Sequence, residues 1–165
     1  MTPRADGLRI RAGSAADRAF VLEAVKRLAD FELPPWRSNP EVVEGEARTL
    51  RAFFERPPAG SALLIAESPE GSPLGFAYLE TLSDYFTQER HGHIAILAVE
   101  KRAEGKGVGG ALLRAAEVWT RGLGYRRLTL AVFEGNRRAR TVYERGGFAP
   151  EVLRYVKMLD GGGPA

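Results

Sequence analysis

The residues best suited to chemistry follow Glu104 and form a glycine-rich segment: Gly105, Lys106, Gly107, Val108, Gly109 and Gly110. Four glycines in six residues exceed the needs of a tight turn and let a ligand approach the backbone closely. The apolar spacing from Val108 to Trp119 predicts a helix directly after it. Because the first N–H groups of a helix are unpaired and its N-terminus is partly positive, we expect a phosphate here. A turn shaped only by packing is the alternative.

The same segment also contains the G-x-G-x-x-G pattern of dinucleotide-binding folds, with Glu134 near the place of a ribose-binding acid. That pattern normally follows its strand at once, whereas Glu100 to Glu104 separate Val99 from Gly105. Only about sixty residues come after it, too few for the rest of a doubly wound sheet. No Lys-Ser or Lys-Thr pair closes the turn as in a P-loop. An NAD(P)-dependent oxidoreductase is therefore the less favoured alternative.

Apolar periodicity, together with capping residues and prolines, predicts the elements that position this turn. The predicted strands cover Leu8 to Arg11, Ala62 to Glu67, Leu74 to Leu82, His93 to Val99, Leu128 to Val132 and Val152 to Leu159. The predicted helices cover Ser14 to Phe31, Glu41 to Glu55, Val108 to Gly122 and Arg137 to Arg145. The second and third strands form a hairpin, and the strand, helix and strand over 93–133 imply two parallel neighbours.

Three segments in the C-terminal half, taken together, resemble the GCN5-related N-acetyltransferase superfamily: Leu97-Ala98-Val99, Gly107 through Leu113, and Asn136 through Tyr143 to Phe148. The preceding elements follow the family's order, so the resemblance covers Leu8 to Leu159. It implies the α/β acyl-CoA N-acyltransferase fold, a mixed, mostly antiparallel sheet of six or seven strands flanked by about four helices. We expect a single domain over 8–159 and a flexible tail over 160–165.

The resemblance implies acetyl-CoA as the cofactor. The family's pyrophosphate signature begins with Gln or Arg, and in this chain that position is Glu104, an acidic departure. Because backbone N–H groups hold the phosphates, the Glu104 side chain can point into solvent while Lys106 and Arg140 compensate its charge. The implied cofactor-binding residues are Leu97, Ala98, Val99, Glu104, Gly105, Lys106, Gly107, Val108, Gly109, Gly110, Asn136 and Arg140.

Tyr143, which matches the family's tyrosine, is the candidate general acid. A phenol with a pKa of about 10 is protonated at neutral pH and can donate to a departing thiolate; a purely buried helix residue is the alternative. His93 is the candidate base because an imidazole pKa of about 6.5 suits the removal of a proton from an amine. Glu80, Asp84, Glu89 and a water relay stay open as bases.

Composition narrows the possible classes of protein. The chain of 165 residues is 44% apolar and 27% charged, as in an ordinary globular domain. It has no cysteine, which excludes disulfides, thiolate nucleophiles and sulfur-ligated zinc, and we expect no metal. The net charge of +3 lacks a basic run, so no nucleic-acid partner is expected. The charged first thirty residues and the short apolar run Ile94 to Val99 favour a cytoplasmic protein without a membrane partner.

The expected activity is therefore transfer of an acetyl group to a primary amine of a small molecule or peptide, by direct attack on the thioester. A non-catalytic acyl-CoA-binding module is the alternative from another class, and a homodimer is possible. The loops over 33–40 and 83–92 carry Trp36, Tyr85 and Phe86, which are expected to wall the acceptor site. Neither these loops nor the net charge selects the acceptor.

Overall fold

Five strands form one mixed sheet in the computed structural model, which describes residues 7–159. The strands are β1 Arg9–Ala12, β2 Ala62–Glu67, β3 Pro73–Ser83, β4 Arg90–Val99 and β5 Leu128–Leu130. The α-helices are α1 Arg18–Ala24, α2 Asn39–Glu55, α3 Val108–Gly122 and α4 Arg137–Arg145. The tail predicted over 160–165 lies outside the described residues.

The strands lie side by side in chain order, β1-β2-β3-β4-β5. The first three pairs are antiparallel, and β4 pairs with β5 in parallel after the chain has passed through α3. The predicted hairpin and the predicted strand, helix and strand unit are both confirmed. The predicted fold class, a mostly antiparallel mixed sheet with four helices, is confirmed as well, although the sheet has five strands over 7–159 rather than six or seven.

The strand predicted over 152–159 is wrong for this structure, which has no strand after β5 within the described residues. Val152 is 76% exposed and Tyr155 is 88% exposed. A strand needs a neighbour that pairs with its backbone groups, and residues with a high strand propensity alone supply none. The neighbouring edge is short because β5 ends at Leu130 and does not reach Val132.

The two faces of the sheet carry separate apolar clusters. Helices α1 and α2 cover one face, and the buried residues there include Val21, Leu50, Ile65, Phe76 and Tyr78. Helix α3 covers the other face, where its residues Val108, Leu112 and Leu113 are buried against the sheet residues Leu79 and Ile94. No helix within residues 7–159 is long and apolar enough to cross a membrane.

The first predicted helix is shorter and less regular than its apolar spacing suggests. It begins as a 3₁₀ turn at Ala15–Asp17, becomes α1, and continues as a 3₁₀ segment over Val25–Ala29. Helix α2 starts at Asn39, inside the predicted loop, because the Ser38 hydroxyl accepts a hydrogen bond from the Glu41 N–H at 3.3 Å. These cap contacts satisfy donors that the first helical turn leaves unpaired.

Candidate active site

Strand β4 leads to the glycine-rich turn and has an open edge along its second half. Its parallel pairing with β5 runs only from Gly92 to Ile94. The antiparallel register with β3 passes from Ile94 to Ile96, so Ala95 forms a β-bulge without an opposite residue. A bulge bends its strand locally. The β5 side of the stretch 95–99, which contains the predicted cofactor contacts Leu97, Ala98 and Val99, therefore has no strand beside it among the described residues.

The turn after β4 places the start of α3 next to this open edge. A 3₁₀ turn over Lys101–Ala103 follows the strand, and α3 begins at Val108. Gly105 and Gly107 have φ angles of 73° and 81°, a region that side chains with a Cβ rarely adopt. The glycines therefore allow the chain to reverse sharply and to present the N-terminus of α3, with its unpaired N–H groups, at the end of β4.

The next two glycines are not required by the protein's own packing. A Cβ at Gly109 would meet nothing closer than 3.9 Å, and one at Gly110 would meet only the Nη1 atom of Arg114 at 3.4 Å. The missing side chains leave a bare surface at the first turn of α3. This surface fits a phosphate group, which needs close access to backbone N–H donors and gains from the positive end of the helix.

Glu104, at the start of the turn, is held by two arginines. Arg27 Nη2 donates to one carboxylate oxygen and Arg138 Nη1 donates to the other. These guanidinium groups, Arg138 above all, keep the pKa of Glu104 below its usual value. The side chain therefore does not point into solvent, as the sequence analysis allowed, but is bound by two arginines. Both arginines lie far from Glu104 in the sequence, so local pattern could not predict these contacts.

The predicted compensating residues do not pair with Glu104. Arg140 Nη1 instead donates to the Glu134 carbonyl oxygen at 3.1 Å and lies 3.5 Å from the Glu134 carboxylate. No hydrogen bond between Lys106 and Glu104 occurs within the described part of the chain; the Lys106 backbone N–H donates to the Ala103 carbonyl at 3.4 Å. The positive charges that pair with Glu104 come instead from Arg138 of α4 and from Arg27 in the segment after α1.

Helix α4 brings Asn136 and Tyr143 toward the α3 side of the sheet. The Asn136 carboxamide oxygen accepts a hydrogen bond from the Ala139 N–H at 3.2 Å, so this residue caps α4. Tyr143 packs against the cluster beneath α3, with its ring centroid 6.1 Å from that of Phe148. Burial raises the pKa of the Tyr143 phenol, so the hydroxyl keeps its proton well above neutral pH.

His93 lies inside β4, not at its start, and is half-buried. Its Nδ1 atom is 2.9 Å from the Thr129 hydroxyl, which can donate onward to the Gly92 carbonyl at 3.5 Å. If Thr129 donates to that carbonyl, His93 carries its proton on Nδ1 and leaves the Nε2 lone pair free. Burial lowers the pKa of His93, so the ring is neutral at pH 7 and able to accept a proton.

One carboxylate acts on His93, and a second carboxylate lies near the first. Glu80 of β3 is the register partner of His93 across the strand pair, and the negative charge of Glu80 acts on both His93 and Glu46 of α2. Burial, followed by the charge of Glu80, raises the pKa of Glu46. Sequence reasoning missed Glu46, although its spacing from Val43 and Leu50 places it on the apolar side of α2, where a carboxylate is unusual.

Asp84 stabilises the loop between β3 and β4. Its Oδ1 atom accepts the Thr87 N–H at 2.9 Å, and its Oδ2 atom pairs with Arg127. The aromatic pair beside it is exposed: Tyr85 and Phe86 are 84% and 83% accessible, with ring centroids 5.2 Å apart. These contacts assign Asp84 to holding the loop rather than to proton transfer. The role of the aromatic residues, including Trp36, as walls of the acceptor site stays a prediction.

The open edge of β4, the glycine-rich start of α3 and the partly buried Tyr143 of α4 are together typical of acyltransferases among α/β proteins. The family model for the acetyltransferase (GNAT) family matches residues 23–148. The chain belongs to this family.

Three known proteins illustrate the similarity. The chain is 33% identical over 151 residues to mycothiol acetyltransferase of Salinispora tropica, with 89% of this chain and 46% of the relative covered. It is 30% identical to the uncharacterized N-acetyltransferase YhfO of Bacillus subtilis, covering 86% and 89% of the two chains. The structure of ribosomal-protein-alanine N-acetyltransferase from Brucella melitensis superimposes with a TM-score of 0.69 at 18% identity, covering 93% and 100%. The chain thus spans about half the length of the mycothiol acetyltransferase that it matches.

Proposed function

We propose that this protein transfers an acetyl group from acetyl-CoA to a primary amine of a small molecule or peptide, by direct attack on the thioester. The observation that carries the proposal is the open edge of β4, whose pairing with β5 stops at Ile94 while the strand continues to Val99 and the start of α3. An extended acyl-pantetheine arm fits beside such an edge, and a pyrophosphate fits the bare first turn of the helix.

The cofactor's contribution is a reactive thioester. On the protein side, the backbone of Leu97, Ala98 and Val99 is proposed to bind the arm, and the N–H groups from Gly107 to Gly110 to bind the phosphates. Asn136 and Arg140 lie at the start of α4 and are proposed to complete the site. The N–H groups on the open edge of β4 can also stabilise negative charge on the carbonyl oxygen during the reaction.

The acceptor amine is proposed to bind on the face of the sheet that carries His93. An amine arrives mainly as an ammonium ion, and the carboxylates of Glu80 and Glu46 attract that charge. His93 Nε2 then removes a proton, which leaves the nitrogen lone pair free to attack. Thr129 is a positioning residue here, because its hydroxyl holds Nδ1.

Tyr143 is proposed to supply the proton that the departing sulfur needs. The phenol is protonated across the physiological range because burial raises its pKa. As the carbon–sulfur bond breaks, the Tyr143 phenol would give its proton to the sulfur. The attacking nitrogen loses its second proton in the same step, and that proton would return the phenolate of Tyr143 to its neutral form.

The test is release of free thiol from acetyl-CoA by the purified full chain in the presence of an amine panel. Small amines, amino acids, aminoglycosides and peptide N-termini make up the panel. Amine-dependent thiol release with acetylated product in the mass spectrum is the expected result. Tight CoA binding without turnover on any acceptor would favour a non-catalytic acyl-CoA-binding module, and a thermal shift with NAD(P)H but not CoA would favour an oxidoreductase.

Cytoplasmic localisation and a homodimer stay predictions. Use of acetyl-CoA favours the cytoplasm, and the run of exposed apolar side chains after α4 is consistent with a partner copy: Val152, Leu153, Tyr155, Val156, Met158 and Leu159. Light scattering of the purified chain tests the dimer, and a mass equal to that of one chain at high micromolar concentration would exclude it.

A further inference from the structure

Three elements that are distant in sequence meet at the Glu104 carboxylate. Arg27 lies in the 3₁₀ segment after α1, and Arg138 lies in the first turn of α4. They are 77 and 34 residues away from Glu104 along the chain, and each donates to a different carboxylate oxygen. We call Glu104, Arg27 and Arg138 the carboxylate clamp.

The two arginines of the clamp differ in how firmly they are held. The Arg27 side chain is only 22% exposed and also lies 3.4 Å from Asp30. The Arg138 side chain is 63% exposed, and Glu104 itself is 26% exposed. Arg138 is therefore the partner that can leave the carboxylate and turn to a ligand at little cost, whereas Arg27 is fixed.

The clamp lies at the start of the glycine-rich turn, where a phosphate is expected. The two guanidinium groups and one carboxylate of the clamp carry a single net positive charge. The carboxylate accepts hydrogen bonds from guanidinium N–H groups that could otherwise bind phosphate oxygens. The arginines hold the pKa of Glu104 below its usual value, so the carboxylate is ionised at neutral pH. A phosphate that approaches Arg138 therefore meets an anion already bound there.

We propose that Glu104 is an internal anion that competes with the cofactor's phosphates for Arg138 and so sets the affinity and selectivity of the cofactor site. This inference rests on the proposed function. When the cofactor binds, a phosphate oxygen replaces the carboxylate on Arg138, while Glu104 keeps Arg27. A ligand with several phosphate charges compensates for the broken ion pair, whereas a single inorganic phosphate does not, so the clamp selects against small anions.

The experiment titrates CoA, and separately inorganic pyrophosphate, into the full-length protein in a calorimeter at low salt. We expect Glu104→Gln to bind both about three- to tenfold more tightly, because partly exposed ion pairs contribute modestly and one of them no longer has to be broken. Arg138→Gln is expected to weaken the binding of both CoA and pyrophosphate. In the double variant Glu104→Gln, Arg138→Gln the gain from removing the carboxylate disappears, because Arg138 is the group for which the two anions compete.

Glu117→Gln is the matched control. It removes the same charge from a carboxylate that pairs with Arg121 in the later part of α3, and it leaves the clamp intact. We expect no change in either affinity. If Glu117→Gln tightened binding as much as Glu104→Gln, the effect would be one of net charge and the competition would be wrong.

Other outcomes separate the competition from the proposed function. Unchanged or weaker CoA binding by Glu104→Gln would overturn the competition and would instead make Glu104 a residue that positions the arginines, while the proposed function stood. Tighter pyrophosphate binding by Glu104→Gln with no CoA binding by any variant would support the competition and overturn the proposed function. Absence of binding for both probes in all variants would overturn both.

Discussion

Proton transfer depends on single side chains, and the first prediction concerns Tyr143. Tyr143→Phe removes the hydroxyl but keeps the ring that packs against Phe148. We expect kcat to fall by about 10²- to 10⁴-fold, the usual contribution of general acid catalysis, with the Kd for CoA unchanged. Steady-state thiol release and calorimetry measure the two quantities. Tyr155→Phe is the control because that ring is 88% exposed, and unaltered kcat in Tyr143→Phe from pH 6 to 9 would rule out the general-acid role.

The second prediction concerns His93 and the pH profile. Because the neutral ring is the base, kcat/KM is expected to fall as the pH drops through the His93 pKa, which burial places below the usual value of about 6.5. His93→Gln should lower the plateau and abolish this acidic limb. Thr129→Val should keep the limb but shift its midpoint, since the contact with Nδ1 is lost. An acidic limb that persists in His93→Gln would point to Glu80, Glu46 or a water relay.

At the scale of elements, the join between β4 and α3 is the critical feature. Gly107 precedes α3 with a φ angle of 81°, so Gly107→Ala forces a Cβ into the left-handed region at a cost of about 1 kcal/mol. We expect lower stability in urea and weaker CoA binding, because the first N–H groups of α3 shift.

Gly122→Ala provides the control for that change. Gly122 ends the same helix, and a Cβ there would meet nothing within 4 Å. Its substitution is expected to leave CoA binding unchanged and to raise stability slightly, by about 0.5 kcal/mol, because alanine is less flexible than glycine in the unfolded chain. Equal loss of CoA affinity in both variants would mean that the geometry of the turn is not responsible.

At the scale of the whole molecule, a buried ion network ties β1 to the rest of the fold. Arg11 pairs with Asp17 at 2.8 Å and with Glu67 of β2 at 2.6 Å, and the Ser14 N–H also donates to Asp17 at 2.8 Å. The Asp17 side chain is only 7% exposed. This network holds β1, β2 and the start of the first helix together.

The fourth prediction follows from that burial. Asp17→Asn leaves Arg11 without its main partner and is expected to cost about 3 kcal/mol of unfolding free energy at pH 7. The hydrogen bond from Arg11 lowers the pKa of Asp17 in the folded state. Its contribution is therefore complete above the unfolded pKa of about 3.9 and is lost as the pH falls through the lower folded pKa.

Urea denaturation of the unchanged protein and of Asp17→Asn from pH 7 to pH 2 checks this dependence. The difference in unfolding free energy between the two proteins should shrink at the acidic end. Glu23→Gln is the control because its ion pair with Lys26 is exposed, with 70% of the Glu23 side chain accessible. A constant difference across the pH range would show that the Asp17 charge is not the cause.

Local pattern in the sequence was sufficient for most of the elements and for the glycine-rich turn before α3. Helix α4 was predicted with its observed bounds, and β2 likewise, because capping residues, glycines and apolar period are properties of short segments. The late position of the glycine-rich segment and its distance from Val99 argued against a dinucleotide-binding fold, and the resemblance of three segments to a known family then implied an acetyltransferase. These features depend on neighbours within a few residues, which is the range over which a sequence can be interpreted directly.

Only the tertiary structure decided which charges meet. The partners of Glu104 are 34 and 77 residues away, and the neighbours of His93 come from β3 and β5. Local pattern also did not determine the structure of the segment 152–159, since residue type gives a strand its propensity but pairing requires an available edge. Electrostatic contacts and strand pairing join residues that are far apart in the sequence, so residue type alone does not determine them.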